Sequence, residues 1–392
     1  MEANVQCCSR FQTNTNLDRY GHRSVEMQKN LKGAGLLPTF KNTESIVTAS
    51  HDNHPRMRKL IAYAFSEKAL KEQEDLLQKF MDQLISRMDD KSSEGPQDLV
   101  SWFNWCTFDM TGDMAFGEPF GCLEEAQYHD WVLQIFQGIK VYPWMRAIVH
   151  FNLLPFAQFL APKKERDAKI AADAKAYAKL DRRMAKGKGF ARKDFMSYIL
   201  QENKDGSKGM TLPEIQETAV ILVIAGSETT ATLMSALCYF LLRHPHTYRR
   251  ATSEVRNHFT SYDNINMVTT NELKYLQAVV EETFRVFPPS PNTFPRIVPG
   301  NGEIIEGKWV PGGMTVGVHP FAATHHPDNF YRPDDFLPER WLPAHLYRDG
   351  DVRAEMFAND KKHMSQPFSF GPRNCIGKRL VSFFRTMCTD LA

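Results

Sequence analysis

Residues 54–285 carry repeated helix starts and stops and few prolines, which predicts a run of helices. The clearest begins at Thr211. Thr211-Leu-Pro-Glu214 is a capping box, in which the threonine hydroxyl takes an orphan backbone N–H and Glu214 reaches back. Pro213 lies in the first turn, where its missing N–H costs nothing. From Ala219 to Leu242 nearly every side chain is apolar, and the run stops before Pro245. A helix apolar all round is either a core helix or a membrane span. Glu228 falls near its middle, and a carboxylate at mid-bilayer is expensive, so a buried helix crossing a soluble domain is predicted. Between 286 and 345 the pattern changes to dense Pro and Gly with short β-prone runs. Heptads, internal repeats and long linkers are absent, and one mainly helical domain is expected.

The chain has 392 residues, 42% hydrophobic and 24% charged, with a formal net charge of +2. These fractions are those of a globular protein, so disorder and fibrous classes are excluded, and near-neutral charge points to no nucleic acid partner. Seven scattered cysteines form no disulfide framework and favour a reducing compartment. Residues 1–30 show no apolar segment of a signal peptide or membrane anchor. Twelve Lys or Arg lie between Lys163 and Lys193, with helical spacing around 171–180. A solvated helix followed by an exposed 187–189 loop is the expectation there, ahead of a binding site.

Two segments carry chemistry. Gly226-Ser-Glu228-Thr229-Thr230 places polar groups inside the apolar helix, and buried polar groups need partners. Hydroxyls bonding the carbonyl one turn back would explain the threonines, but neither Glu228 nor the bare Ala225-Gly226 pair. Small residues followed by an acid and a hydroxyl make a groove with proton-handling groups at its edge. The second segment is Phe368-Ser-Phe-Gly371-Pro-Arg373-Asn-Cys375-Ile-Gly377. Here Cys375 sits between a Gly/Pro-rich approach and an expected helical continuation, whose first N–H groups would favour a thiolate. Gly371 and Gly377 permit a tight turn and close approach of a flat cofactor. Phe368 can shield the sulfur and Arg373 can meet a carboxylate. No second Cys or His stands at zinc spacing, and no His/Asp pair marks a hydrolytic nucleophile. One thiolate facing a macrocycle iron fits, because a haem supplies four in-plane ligands itself.

Phe368, Gly371, Arg373, Cys375 and Gly377 match the haem-binding signature of the cytochrome P450 monooxygenases at each fixed position. Ala225 to Thr230 resembles the family's oxygen-activation motif. Glu282-Thr-Phe-Arg285 resembles its Glu-x-x-Arg pair, and Phe336-Leu-Pro338-Glu339-Arg340-Trp341 supplies the later arginine that completes a Glu282–Arg285–Arg340 triad. The resemblance implies a mainly α, P450-like helical prism with minor β-sheets, incomplete at its N- and C-termini. It implies haem b ligated by Cys375, with Glu228 and Thr229 relaying protons and Gly226 beside the cofactor. Arg58, Arg296 and Arg373 are the propionate partners it implies. The pattern His54-Pro-Arg-Met-Arg58 has His54 where the family usually has tryptophan. Ala225, 290–294 and 220–224 would line the substrate.

The resemblance spans residues 20–380, leaving 1–19 and 381–392 as divergent segments. The family's membrane-anchor helix, proline hinge and first strands are not seen before it. The tail beginning Val381-Ser382 is expected to be an in-frame translation past a splice donor, which would make the sequence a truncated gene model or isoform. The implied activity is insertion of one atom of O2 into a small apolar organic substrate, with electrons from an NADPH-cytochrome P450 reductase. The general character is that of fungal secondary-metabolism enzymes of the isotrichodermin-hydroxylase type. The alternatives are a P450-like isomerase or peroxygenase, and a catalytically impaired haem-binding fragment or pseudoenzyme. Family members sit on the endoplasmic reticulum membrane facing the cytosol; with no anchor in view, this chain is expected there or in the cytoplasm. The basic residues Lys361, Lys362, His363, Lys378 and Arg379 around the Cys375 loop, with Arg56 and Lys59, are expected to face the reductase.

Overall fold

The computed structural model describes residues 27, 29, 43–151, 153, 174–175, 177–187, 194–200, 209–291, 295–348, 351–352 and 354–380. The N-terminal segment before Met27, most of the basic stretch, 292–294 of the expected substrate wall and the 381–392 tail therefore lie outside the described residues. Chain contacts separate two compact units, Lys29–Glu228, and Thr229–Ala392 together with Met1–Gln28, each described by itself.

The first unit is helical. It holds α1 (Asn53–Ala62), α2 (Glu67–Lys71), α3 (Glu74–Ser92), α4 (Leu99–Phe116), α5 (Cys122–Glu125), α6 (Asp130–His150) and α7 (Phe195–Ile199). The first part of α8 (Leu212–Arg243) belongs to it as well. Helix α4 starts because the Asp98 carboxylate accepts the Val100 N–H at 3.0 Å. It stops because Gly117 turns left-handed, at φ 73°, and returns its N–H to Asp113. Between those caps nearly every side chain is buried, so α4 is the core helix of this unit. The buried carboxylate of Asp109 then fastens the following loop, accepting the N–H groups of Phe120, Cys122 and Leu123 at 2.8–3.1 Å.

The described part of the basic stretch pairs its charges with acids, largely at the surface, and buries one of them. Lys175 pairs with Asp130, and Lys179 and Arg182 both reach Glu118. Arg183 is fully buried against Asp194 at 2.5 Å, with Ser197 a further acceptor. That ion pair caps α7, since Asp194 and Ser197 form a reciprocal box there.

The second unit takes over in α8 and continues through α9 (Pro245–His258) and α10 (Lys274–Val286). The Pro/Gly-rich stretch forms short antiparallel pairs. β1 (Arg296–Ile297) pairs with β4 (Thr315–Val316), and β2 (Gly302–Ile305) with β3 (Lys308–Pro311). They close over a small core of Met27, Val298, Ile305, Val310 and Val316. A short helix α11 (Pro320–Thr324) and a series of 3₁₀ turns carry the chain to residue 380.

One charged network organises this second unit. Arg285 is fully buried, and all five of its N–H donors are used. Two go to the Glu282 carboxylate at 2.8 Å, and the others to the carbonyls of Thr324, Pro333 and Asp335 at 2.5–3.0 Å. Glu282 also accepts from Arg340 Nε at 3.1 Å, Trp341 Nε1 at 2.8 Å and the Leu337 N–H at 2.8 Å. Arg340 continues to Asp360 and to the carbonyl of Tyr331. Both guanidinium groups lie over the Phe330 ring. The expected triad thus forms, and Asp360 and Trp341 extend it.

Removing one partner from a buried ion pair strands the other charge and costs about 3–5 kcal/mol. Arg285→Ala should therefore unfold at markedly lower urea and yield little haem-loaded protein. A variant with the parent's midpoint would show that the network is dispensable.

Candidate active site

In the second unit the segment around Cys375 is a folded loop. The Cys375 N–H donates to the Phe368 carbonyl at 2.9 Å, and Asn374 N–H to Gly371 O at 3.1 Å. The tight path requires left-handed backbone at Ser369 (φ 59°) and Gly371 (φ 80°). Phe368 anchors the loop from one side, its ring meeting Phe284 of α10 edge-on at 5.2 Å. Phe284 neighbours Arg285, so the charged network and the cysteine loop are held by one helix turn. A 3₁₀ turn, Ile376–Leu380, follows Cys375 directly and contains Gly377. The α-helical continuation expected there would lie past residue 380, outside the described residues.

Among the described cysteines, Cys375 alone is exposed. Burial raises the thiol pKa of Cys106 and Cys122, that of Cys122 to about 12, with the nearby Asp109 charge adding to it. Burial alone raises Cys238 to about 11. Those three are inert small hydrophobes, whereas Cys375 is placed to offer its sulfur. Among the described residues Cys375 belongs to no group of three or more metal-capable side chains. A single soft donor fits an iron whose in-plane ligands belong to a macrocycle, so the residues present fit a haem. Arg296, buried at the start of β1, and half-buried Arg373 lie in the same unit. Both are suited to carboxylate groups.

The other predicted segment lies on α8, which begins with the expected capping box. Thr211 N–H meets the Glu214 carboxylate at 2.8 Å, and Glu214 N–H meets the Thr211 hydroxyl at 3.4 Å. Arg56 of α1 clamps the same carboxylate at 2.5 Å and holds its pKa down, against the opposing effect of burial. Arg56 was expected to face a reductase; its charge is instead taken up within its own unit. On the same α1, His54 is buried and Arg58, one turn on, is half-buried.

At the centre of α8, Ala225 and Thr229 are exposed among buried and half-buried neighbours. The opposite side is tied to α4. Ser227 Oγ lies 2.5 Å from Thr111 Oγ1, and it donates to the carbonyls of Val223 at 2.7 Å and Thr107 at 3.2 Å. A Cβ added to Gly226 would stand 3.0 Å from the Thr111 methyl. Gly226 was expected beside the cofactor; its bare face admits α4, and only its backbone is left for other contacts. Ser227, absent from the sequence-derived site, is what locks the motif in rotation. Its signal was its position between two small residues and the acid, as a hydroxyl on the other face. Glu228 is half-buried with Oε2 lacking a hydrogen-bond partner, and burial pushes its pKa up.

The family profile of cytochrome P450 matches residues 20–382. Averantin hydroxylase of Aspergillus parasiticus is 40% identical over 351 residues, covering 88% of this chain and 68% of that protein. The cytochrome P450 monooxygenase astJ of Aspergillus oryzae is 39% identical over 379 residues, covering 96% of this chain and 73% of that one. The crystal structure of the cytochrome P450DA heme domain superposes with a TM-score of 0.76. It covers 99% of this chain and 80% of that chain at 18% identity, a likeness of fold. The chain belongs to the cytochrome P450 family, the haem-thiolate monooxygenases. Within it, the chain is similar to monooxygenases of fungal secondary metabolism.

The raised Glu228 pKa has a consequence for stability. Its proton is held more tightly in the folded than in the unfolded chain. That contribution is complete below the ordinary carboxyl value and is lost as pH rises through the folded one. Glu228→Gln stays neutral throughout, so its melting temperature relative to the parent should climb as pH rises above the ordinary carboxyl range. A constant difference would show that the carboxyl is not shifted.

Proposed function

We propose that this chain hydroxylates a small apolar organic substrate, with Cys375 as the proximal haem ligand and Glu228 and Thr229 handling protons on the distal side. The observation that carries this reading is the pairing of two features. The exposed Cys375 sits on an ordered loop, and α8 opens at Ala225 and Thr229 next to a carboxyl raised by burial. Haem, when bound, supplies the reduction and cleavage of O2; the chain supplies ligation, orientation and protons. A neutral Glu228 can give up a proton and take another from solvent, and the Thr229 hydroxyl beside it can pass that proton on. Arg296, Arg373 and Arg58 would hold the haem carboxylates. Ala225 and 290–294 would shape the substrate wall. The printed name of the relative from Aspergillus parasiticus supports hydroxylation as the outcome.

Members of the family use O2, an organic substrate and a redox partner. For this chain the partner we propose is an NADPH-cytochrome P450 reductase, docking where Lys362, His363, Lys378 and Arg379 are exposed. Lys361 belongs to the same expected set; it is half-buried, with Nζ donating to Asn329 Oδ1 at 3.4 Å. Fungal members are usually membrane-associated, and the proposed location is the cytosolic face of the endoplasmic reticulum. Helix α8 passes a length and hydropathy test for a membrane span, at a mean hydropathy of 1.6. Its bonds to α4 through Ser227 support a core role instead.

Two variants test the site. Cys375→Ser should lose the strongly red-shifted Soret band of the reduced, CO-bound protein, because an alcohol does not replace a thiolate. Thr229→Ala should keep that band while releasing more peroxide per electron pair, since it removes proton delivery and leaves ligation intact. A normal CO spectrum in the first, or unchanged coupling in the second, refutes the role assigned. Charge reversal at Lys362 and Lys378 should slow the first electron transfer at low ionic strength and converge with the parent at high salt. Equal rates throughout the salt series would move the docking face elsewhere.

A further inference from the structure

Apart from the Cys375 loop, one cluster in the second unit has the donors of a metal site. Helix α9 carries His246 in its first turn and Arg250 one turn on, on the same face. Arg250 is buried, with its guanidinium 4.0 Å from the centre of the Tyr275 ring. Its Nη1 donates to Asp351 Oδ2 and its Nη2 to the Leu346 carbonyl, both at 2.7 Å, which holds the 346–351 turn against α9. The Arg348 N–H takes a second place on Oδ2 at 2.7 Å. Asp351 Oδ1 has no hydrogen-bond partner, although the side chain is only 1% exposed. An orphaned carboxylate oxygen at that depth is costly unless a ligand meets it. Glu339, in the 3₁₀ turn Pro338–Trp341, is buried as well. Its Oε1 accepts the Tyr275 hydroxyl at 3.0 Å and lies 3.8 Å from Arg250 Nη1. One donor atom from each of His246, Glu339 and Asp351 lies within 4.8 Å of the other two. Two carboxylates against one guanidinium leave a net negative charge. Burial first, and then the charges of Glu339 and Asp351, push the nearby Tyr347 phenol up to about 12. The exposed His246 gives an ion access from solvent.

We propose that His246, Glu339 and Asp351 bind a divalent transition-metal ion of the zinc type, which ties α9 to the 338–341 and 346–351 turns. An imidazole with two carboxylates is a borderline donor set that suits zinc, whereas calcium and magnesium favour oxygen ligands alone. Arg250 is a positioning residue: by holding Oδ2 it leaves Oδ1 as the available donor. The role is structural. Glu339 precedes Arg340, so the ion would brace the same 3₁₀ turn that carries the buried network of Glu282.

The test is titration of zinc chloride into the full haem-loaded chain after treatment with a chelator, read by calorimetry and by melting temperature. The parent should bind zinc with a component that His246→Ala lacks, and should melt higher with zinc than without it. His246→Ala removes an exposed side chain, so the metal-free variant should melt with the parent. Its zinc affinity at this site should fall by about tenfold or more, since even loss of a group supporting a ligand costs 10–100-fold. Asp351→Asn should weaken binding in the same way; if it unfolds through loss of the Arg250 pair, His246→Ala decides alone. His258→Ala, at the other end of α9 and paired with Glu272 at 3.5 Å, should bind as the parent does. The absence of a zinc-dependent rise in the parent overturns the site. Equal affinity in the parent and His246→Ala overturns it too, and marks any bound zinc as adventitious on surface histidines. Magnesium chloride raising the melting temperature as much as zinc overturns the assignment to a zinc-type ion.

Discussion

The second unit depends on a buried, neutralised charge cluster. Glu282 and Asp360 balance Arg285 and Arg340, all fully or almost fully withdrawn from water. Such a cluster adds little to stability compared with apolar packing, since desolvation offsets the Coulomb attraction. What it does supply is geometry. A guanidinium with five satisfied donors tolerates one arrangement of its acceptors, and three of those acceptors are carbonyls of otherwise irregular chain. The segment from Thr324 to Arg340 has little regular structure to hold it, and the network takes that role. One residue before Arg285, Phe284 meets Phe368 and passes the same constraint to the cysteine loop.

In the first unit the comparable constraint is the contact between α4 and α8. A glycine at 226 lets the helices approach, and Ser227 fixes the rotation by bonding Thr111 and the Thr107 carbonyl. With that rotation set, Ala225 and Thr229 emerge on the exposed face while Glu228 is half-buried between the two. A carboxyl in that intermediate position is shifted toward its neutral form while remaining only half-buried. This combination suits a group that both holds and exchanges a proton.

Much of this was legible in the residues. The α8 capping box was readable because it is local, with both partners within one turn. The Cys375 loop was readable because glycine, proline and cysteine at fixed spacing restrict the backbone directly. Glu282 and Arg285 are three residues apart on a helix, and the motif around Arg340 carried its own family signal. The contacts of Arg56 and Gly226 were not legible, because each is set by a residue distant in sequence: Glu214 and Thr111. The buried Arg183–Asp194 pair was hidden inside a stretch whose composition reads as solvated surface.

By itself the sequence determined the helical class, the start of α8, the cysteine set in a Gly/Pro-rich turn and the acid–alcohol pair. All of these follow from local backbone preference or from the chemistry of single side chains. Tertiary structure alone decided which charges are spent internally, which face of α8 is open, and that Asp360 and Ser227 complete the two networks. A charge is available only if no distant partner takes it, and a helix face is open only if no distant helix covers it. Both conditions depend on where the chain returns in space, and spacing along the sequence does not encode that.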